Sequence, residues 1–387
     1  MYKKFLKTKY VIFFCFCLFF LLSSIFSCSY AVKISDGEEG FFRTGNMHYA
    51  RSGHSAILLK DGRVLIVGGR GGGGEEASWT TEIYDSKTQT FSLGPKLNFR
   101  RYFTSLLYLC EDGKVLIFPS TFPYSKQNKK EVDLARTVEV YDPKTNTISL
   151  GAKFPKETIF TEYFNYSIIE MNKDTLLIQN DTKAAFLYNT KDNTWKKTDR
   201  LINYSYLEEL HNDDEKLIFL ASGDGVLCVD KETMNIKSFQ TPEIKIYRTG
   251  IELSPDKYLI LGTFYTKEII NGLIYRYPKY HYTSKAAIFD QKTGTFNMIK
   301  NVPIISDFSI HSYKMLNKDI VFVKTKYSAY KNAILFGFDT TKNEFYKKTY
   351  MAPSRHGTFT KLKDGTYLYT GGSGGGFPST KEAYIFK

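Results

Sequence analysis

Four arginines stand at matching positions of the chain, each just before an apolar segment with the character of a β-strand. They are Arg51, Arg101, Arg248 and Arg355. The guanidinium group presents a fixed fork of N–H donors, which suits bidentate binding of a carboxylate or phosphate. Two interpretations stay open. The four groups bind an anionic ligand together at one mouth of the domain, or each braces backbone carbonyls or an acidic side chain inside the fold.

A second stretch, Thr263–Lys285, interleaves aromatic and cationic residues. Its candidate ligand-binding residues are Tyr265, Tyr275, Arg276, Tyr280, His281 and Tyr282. Aromatic rings beside cations suit stacking on sugar rings or gripping a peptide. A long loop that folds over the domain and packs on itself is the alternative.

Catalytic signatures are scarce. The six histidines have no metal-ligand spacing, and His54-Ser55 and His311-Ser312 occupy equivalent positions that mark them as repeat residues. No Gly-x-Ser-x-Gly elbow occurs, and the glycine runs Gly71–Gly74 and Gly374–Gly376 lack the Gly-Lys-Ser/Thr of a phosphate-binding loop. The sequence favours a protein without a metal or cofactor and without catalysis, although an enzyme stays open.

The segment Arg51–Phe91 shows which elements would position these residues. An apolar run, the turn Asp61-Gly62 and the run Val64–Val67 ending in Gly68-Gly69 predict two antiparallel strands. After a loop, a strand ending in Tyr84-Asp85 turns into a fourth around Phe91. Such a sheet is too small to be stable alone, so the pattern must recur.

The pattern recurs seven times. The second-strand runs are Val64–Val67, Val115–Phe118, Leu176–Ile178, Leu217–Leu220, Tyr258–Leu261, Ile320–Val323 and Tyr367–Tyr369. The third-strand ends are Tyr84-Asp85, Tyr141-Asp142, Tyr188-Asn189, Val229-Asp230, Phe289-Asp290, Phe338-Asp339 and Phe386-Lys387.

A diglycine after the second strand, then Tyr-Asp, then an aromatic residue resembles the kelch repeat, whose period is about 50 residues. The resemblance covers the chain after about Phe41, but only the first and last repeats keep the diglycine, at Gly68-Gly69 and Gly371-Gly372. It implies an all-β propeller of the galactose-oxidase-like superfamily. Galactose oxidase builds its copper site from histidines and a Tyr–Cys crosslink, which Cys110 and Cys228 do not obviously supply. The exported sialic-acid mutarotases of the family need few signature residues, and they give the enzyme alternative.

The chain opens at Phe41 with a fourth strand and closes on Ala383–Phe386 with a third. Pairing these ends would close the ring and remove two exposed sheet edges. We therefore expect residues 41–387 to form one seven-bladed propeller closed by its terminal strands, with six blades as the alternative count. The short turns would share one face, and the long, variable connections would share the other, where we expect any site.

Residues 1–31 have the features of a secretory signal, with four lysines before the apolar run Val11–Leu22. Ser29-Tyr-Ala31 fits ordinary cleavage, whereas Ile25–Cys28 resembles a lipobox with Phe26 as a poor fit. An uncleaved N-terminal anchor also stays open. We favour a lipoprotein acylated at Cys28. Cys110 and Cys228 fall in strands of different blades and are expected to be buried thiols rather than a disulfide.

The formal net charge of the 387-residue chain is +13, and the lysines and arginines are spread rather than clustered. A soluble basic surface explains this, and attraction to anionic polymers or lipid headgroups is the functional alternative. Nucleic acid is not expected behind a secretory signal. Together these features predict an exported, monomeric binding scaffold at the bacterial cell envelope, either periplasmic or on the cell surface. Its partner would be a protein or glycan, and an anionic one would suit the charge.

Overall fold

A computed structural model of the chain describes residues 40–71, 76–101, 106–119, 136–155, 166–180, 185–199, 207–221, 223–271, 276–303, 308–314, 320–326, 334–348, 357–373 and 379–387. These residues form an all-β propeller of four-stranded antiparallel sheets. The predicted leader, with Cys28, lies outside the described residues. A 3-10 helix, Glu76–Trp79, precedes a third strand. Within the described ranges, no helix is long and apolar enough to cross a membrane.

Seven four-stranded sheets occur among the described residues, and six of them consist of strands consecutive in sequence. The first three are β2 (Ser55–Leu58), β3 (Val64–Val67), β4 (Thr81–Asp85) and β5 (Thr90–Leu93); β6 (Leu107–Leu109), β7 (Val115–Ile117), β8 (Thr137–Asp142) and β9 (Thr147–Lys153); and β10 (Tyr166–Asn172), β11 (Thr175–Asn180), β12 (Ala185–Asn189) and β13 (Thr194–Thr198). The next three are β14 (Leu207–Asn212), β15 (Lys216–Ala221), β16 (Gly225–Asp230) and β17 (Ile236–Phe239); β18 (Ile246–Ser254), β19 (Lys257–Asn271), β20 (Arg276–Asp290) and β21 (Thr295–Ile299); and β22 (Phe308–Lys314), β23 (Ile320–Lys326), β24 (Ile334–Asp339) and β25 (Glu344–Lys348).

The remaining sheet joins the two ends of the described chain. It contains β26 (Thr358–Lys361), β27 (Tyr367–Thr370), β28 (Ala383–Phe386) and, on the far side of β28, β1 (Phe41–Arg43). The register pairs Phe41 with Phe386, and their ring centroids lie 4.7 Å apart. The predicted pairing of the terminal strands is confirmed, as are the predicted second strands and third-strand ends.

Turn chemistry explains why the third strands of six sheets end at an acidic or amide residue. The side chain of Asp85 accepts a hydrogen bond from the N–H of Lys87 at 2.8 Å, and Asp142 accepts one from Lys144 at 2.9 Å. A residue with positive φ then closes the turn, such as Gln89 at 56°. Asp and Asn stabilise such turns locally, so these boundaries are encoded by neighbouring residues.

Apolar clusters fill the space between adjacent sheets. Val64 and Ile66 of β3, for example, pack with Leu368 of β27 and Ile385 of β28. First strands of neighbouring sheets contact one another, as β2 does with β6 and β26, and β18 with β14 and β22. The first strands therefore lie innermost, around the propeller axis.

Antiparallel order gives the sheets two distinct ends. We call the end with the first-to-second and third-to-fourth turns the turn face. The other end, which we call the link face, carries the second-to-third connections and the links between sheets.

Candidate functional site

Arg51 lies in the link that leads into β2, and its side chain is fully buried. The guanidinium donates to a carboxylate oxygen of Glu82 at 2.7 Å and to the carbonyl oxygen of Gly68 at 2.7 Å. Glu82 is equally buried and also accepts the main-chain N–H of His48 at 2.7 Å. Burial lowers the pKa of Arg51, and the ion pair with Glu82 opposes that effect.

Arg101 repeats this arrangement one sheet further on. Its Nε and Nη2 donate to one carboxylate oxygen of Glu139 at 3.0 and 2.7 Å, and both side chains are fully buried. Nη2 also donates to the carbonyl oxygen of Thr137 at 2.9 Å, while Glu139 accepts the N–H of Asn98 at 2.6 Å. Each glutamate thus fixes the link that precedes its own sheet.

The diglycines complete these junctions from the neighbouring sheet. The N–H of Gly372 donates to the carbonyl oxygen of Arg51 at 2.8 Å, and the N–H of Gly69 donates to that of Arg101 at 2.7 Å. A Cβ atom on Gly371 would lie 2.3 Å from the Arg51 oxygen. Only glycine fits such an approach. We call each set of diglycine, arginine and glutamate a Gly–Arg–Glu joint.

The joints change the interpretation of the predicted arginine set. Arg51 and Arg101 face carboxylates and carbonyls inside the fold, which is the bracing arrangement. An anionic ligand at the link face would not reach either group, because both side chains are buried and already hydrogen-bonded. The side chain of Arg248 and all of Arg355 lie outside the described residues.

Residues 263–271 and 276–285, on β19 and β20, form a β-ribbon. Strands β19 and β20 are 15 residues long, and their register runs unbroken from Lys257–Asp290 to Asn271–Arg276. Their outer neighbours are shorter, since β18 pairs only up to Thr263 and β21 only up to Ala286. The part beyond Thr263 therefore extends past its sheet at the link face, by roughly 25 Å at the usual strand rise.

Aromatic and charged side chains lie along this ribbon. At its base, the Nζ atom of Lys245 lies 4.7 Å from the ring centroid of Phe264 and 4.9 Å from that of Tyr265. Further out, exposed His281 contacts Glu268 at 2.9 Å. The register places Tyr265 opposite Tyr282 and Lys267 opposite Tyr280. Tyr275 and the side chains of Arg276, Tyr280 and Tyr282 lie outside the described residues.

His54 is a structural residue. Its ring is buried, and its Nε2 lies 2.8 Å from the hydroxyl of Thr370 on β27. Burial, reinforced by the positive charge of Arg51, lowers the pKa of His54 to about 3. The imidazole is neutral at physiological pH and joins the first and last sheets, as a repeat residue would.

Titratable groups on the first strands form a cluster that the sequence analysis missed. His211 on β14 contacts Glu252 on β18 at 3.3 Å through Nδ1, and Asp213 at 2.9 Å through Nε2. Burial disfavours the charged form of the His211 imidazole, but the hydrogen bonds to Asp213 and Glu252 outweigh this effect and raise the pKa of His211. This cluster lies near the turn face, because His211 and Glu252 are close to the ends of β14 and β18, and Asp213 directly follows β14.

Glu208, also on β14, lies nearer the link face. Burial raises the pKa of Glu208 to about 7, although its carboxylate accepts a 2.7 Å hydrogen bond from the hydroxyl of Thr249. No motif marked Glu208 or His211, because Thr249 and Glu252, which face them from β18, belong to another sheet. The only sequence signal for these two residues was that they are polar residues inside a predicted first strand.

The two cysteines within the described residues, Cys110 and Cys228, are free thiols, as predicted. Burial raises the pKa of Cys110 to about 12 and that of Cys228 to about 11, so both stay protonated. In the same part of the chain, no three His, Cys, Asp or Glu side chains converge as a metal site would require.

No protein-family model and no curated protein matches the chain. Solved structures do match, among them one described as a novel fungal alcohol oxidase with catalytic diversity among the AA5 family, in complex with copper. The identity is 14%, the TM-score is 0.43, and the match covers 87% of this chain and 62% of that one. The chain thus spans about three fifths of that enzyme's length, and at this level the likeness carries no inference about activity.

Proposed function

We propose that this protein is an exported kelch-repeat propeller that acts as a non-catalytic binding scaffold at the bacterial cell envelope. Its partner binds at the link face. One observation carries the proposal: β19 and β20 continue beyond their sheet as a paired ribbon on that face. The described side chains of β19 from Thr266 to Ile269 are exposed, and rigid scaffolds usually carry function on such projections.

We further propose that each four-stranded sheet is one blade and that the ring has seven. Six apolar clusters join the sheets in chain order, starting from the sheet that contains β1 and β28. The seventh interface would join β22–β25 to β26–β28, and much of that region lies outside the described residues. The short repeats and Tyr-Asp turns support membership of the kelch family.

The ribbon's composition suits an anionic partner. Between Thr263 and Lys285 the sequence contains four cations (Lys267, Arg276, Lys279 and Lys285), five tyrosines and a single acid, Glu268. Cations attract an anionic glycan or an acidic protein surface over several ångströms, and aromatic rings add contact area at low entropic cost.

A ribbon-replacement variant tests the binding proposal. Asn-Gly replaces Lys267–Tyr280 and joins the cross-strand partners Thr266 and His281 in a two-residue hairpin. In a thermal-shift screen against anionic sugars, purified envelope glycans and envelope proteins, a ligand should raise the Tm of the wild type but not of this variant. Lys191→Ala, in an exposed turn on the opposite face, is the matched control. If no ligand distinguishes the wild type from the ribbon variant, the proposal is wrong.

Envelope attachment is tested separately. If Cys28 is acylated, Cys28→Ala should move the protein from the membrane fraction to the soluble envelope or the medium. Mass spectrometry that finds the wild-type chain beginning at Val32 would exclude the lipid anchor.

A carbohydrate enzyme of the mutarotase kind is the second candidate, and Glu208 and His211 favour it. Burial raises the pKa of Glu208 to about 7, and hydrogen bonds raise the pKa of His211, so the environment of both groups tunes their acidity, as a general acid or base requires. Anomer exchange of sialic acid, followed by NMR, should be accelerated by the wild type and slowed in Glu208→Gln or His211→Asn if this candidate is correct. No acceleration by the wild type would remove it.

A further inference from the structure

The ribbon formed by β19 and β20 has two outer edges beyond its sheet. Strand β18 pairs with β19 only as far as Thr263, and β21 pairs with β20 only as far as Ala286. Beyond these points, neither edge pairs with a further strand among the residues that the structure describes. An unpaired edge presents a row of main-chain N–H and C=O groups, to which an extended peptide can add as another strand.

Two hydrogen bonds show which residues of β19 face its outer edge. The carbonyl oxygen of Thr263 accepts a hydrogen bond from the N–H of Lys245 at 2.9 Å, and that of Tyr265 accepts one from the Nζ atom of the same lysine at 3.4 Å. Main-chain groups of successive residues alternate between the two sides of an antiparallel strand. Lys267 and Ile269 therefore point their N–H and C=O groups to the same side, where β18 no longer reaches. We call this stretch, Lys267 to Ile269, the open edge.

The opposite edge of the ribbon, on β20, is blocked. Thr263 pairs with Ser284, so the even-numbered residues of β20 direct their main-chain groups outwards, and Pro278 is one of them. Proline has no N–H to donate to an added strand, and it commonly protects exposed edges in this way. The register pairs Pro278 with Ile269, so at one level the ribbon is closed on β20 and open on β19.

The side chains at the open edge indicate what an added strand would contain. Lys267 and Ile269 are two residues apart on a strand and so share one face of the ribbon. Both are exposed, Ile269 to 52%. Between Thr266 and Tyr282 the only acid in the sequence is Glu268, which contacts His281 at 2.9 Å. An acidic residue opposite Lys267 and an apolar residue opposite Ile269 would therefore complement this face.

We propose that the open edge binds an extended segment of a partner protein as an additional antiparallel strand. The segment has an acidic residue and, two positions away, an apolar residue. Charge decides between the occupants: from Thr263 to Lys285 the sequence has four cations and one acid, so a second copy of the ribbon is repelled and an acidic segment is attracted. This inference rests on the proposed function and narrows its partner to a protein.

A designed peptide tests the open edge. Fluorescein-labelled Thr-Glu-Thr-Val-Thr-Glu-Thr-amide can place its valine opposite Ile269 and a glutamate opposite Lys267. Fluorescence polarisation should show saturable binding, and the same peptide with lysines for glutamates should bind about tenfold more weakly or less. N-methylation of the valine, whose N–H would face β19, should weaken binding about tenfold or more. N-methylation of an adjacent threonine, whose N–H would face away, should not.

Variants of the protein test the same contact from the other side. Ile269→Pro removes the outward N–H but no hydrogen bond to β20, and it should weaken peptide binding about tenfold or more. Ile269→Val keeps the N–H and should bind within about twofold of the wild type. Both should keep the wild-type Tm, because the side chain is exposed. Hydrogen–deuterium exchange at Lys267 and Ile269 should slow when the peptide binds.

Four outcomes would overturn the inference: no saturable binding, equal binding of the lysine peptide, equal effects of the two N-methyl groups, or unchanged affinity in Ile269→Pro. Two others would reassign the edge. Dimerisation of the protein that Ile269→Pro abolishes, measured by sedimentation, would assign it to a second copy. Ribbon-dependent binding of trigalacturonate without peptide binding would make the ribbon a glycan site.

The failure of this inference is distinguishable from failure of the proposed function. If an envelope ligand is lost in the ribbon-replacement variant but retained by Ile269→Pro, the binding scaffold stands and only the added strand is wrong. If the peptide binds at the open edge but no envelope ligand distinguishes the wild type from the ribbon-replacement variant, the edge site stands without the proposed envelope partner.

Discussion

The main-chain N–H of Gly372 donates a hydrogen bond of 2.8 Å to the carbonyl oxygen of Arg51, which joins the last described sheet to the first. Gly69 and Arg101 repeat the bond at 2.7 Å between the first sheet and the second. In the sequence, the diglycine resembles a repeat signature, and the arginine is a candidate either for ligand binding or for bracing the fold. They are two sides of one junction, and buried glutamates on β4 and β8 complete it.

Gly371→Ala should lower the free energy of unfolding by about 2–5 kcal/mol. The methyl group would lie 2.3 Å from the Arg51 oxygen, and φ is +60°, so overpacking of about 1–3 kcal/mol adds to a backbone cost of about 1–2 kcal/mol. Gly223→Ala is the control, because φ is +94° there but a Cβ meets nothing within 4 Å. Urea unfolding measures both. If both variants lost the same free energy of unfolding, the close approach of Gly371 to the Arg51 oxygen would not contribute to stability.

Arg101→Met should cost about 3–5 kcal/mol, because it leaves the buried carboxylate of Glu139 without its cation. Arg63→Met breaks the partly exposed pair with Asp61 and should cost less than about 1 kcal/mol. Thermal and urea unfolding compare the two variants. An Arg101→Met protein with nearly wild-type stability and weakened anion binding would return Arg101 to the ligand-binding set.

Glu208→Gln should change how stability depends on pH. The pKa of Glu208 rises from 4.5 to about 7 on folding, so the folded state binds the extra proton and stability falls as pH increases through that window. The amide of the variant cannot ionise. Between pH 4.5 and pH 8, the free energy of unfolding of Glu208→Gln should therefore rise relative to that of the wild type by up to roughly 3 kcal/mol. Glu215→Gln, in an exposed turn, is the control and should follow the wild type. A pH-independent difference for Glu208→Gln would refute the buried-carboxyl interpretation.

Deletion of Ala383–Lys387 should destabilise the whole propeller, because β28 lies between β27 and β1 in the closing sheet. The ribbon replacement described above removes more residues but should change the Tm by only a few degrees, since surface connections tolerate length changes. Circular dichroism melting curves make the comparison. Similar losses from both changes would argue that the terminal strands do not hold the ring together.

Local signals in the sequence determined the strands. Apolar runs, the Asp-Gly turns and the Tyr-Asp ends act over a few residues, so the strand positions followed from the repeat pattern. The count of strands in the repeats also predicted that the strand at Phe41 pairs with Ala383–Phe386, and the structure added the register. The sequence also predicted that Cys110 is buried, although the structure places it directly after β6 rather than in a strand. The strand positions depend on neighbours in sequence, whereas the terminal pairing follows from the order of strands in the repeats.

Contacts between distant residues were decided only by the tertiary structure. Arg51 and Glu82 are 31 positions apart and His211 and Glu252 are 41 apart, and no spacing rule pairs them. The aromatic segment after Thr263 became a ribbon because its two halves align in register, which composition alone does not reveal. Whether an arginine braces the fold or faces a ligand depends on which carboxylate the closed ring brings to it. The free energy of an ion pair is set by burial and geometry, and both arise only when the sheets pack together.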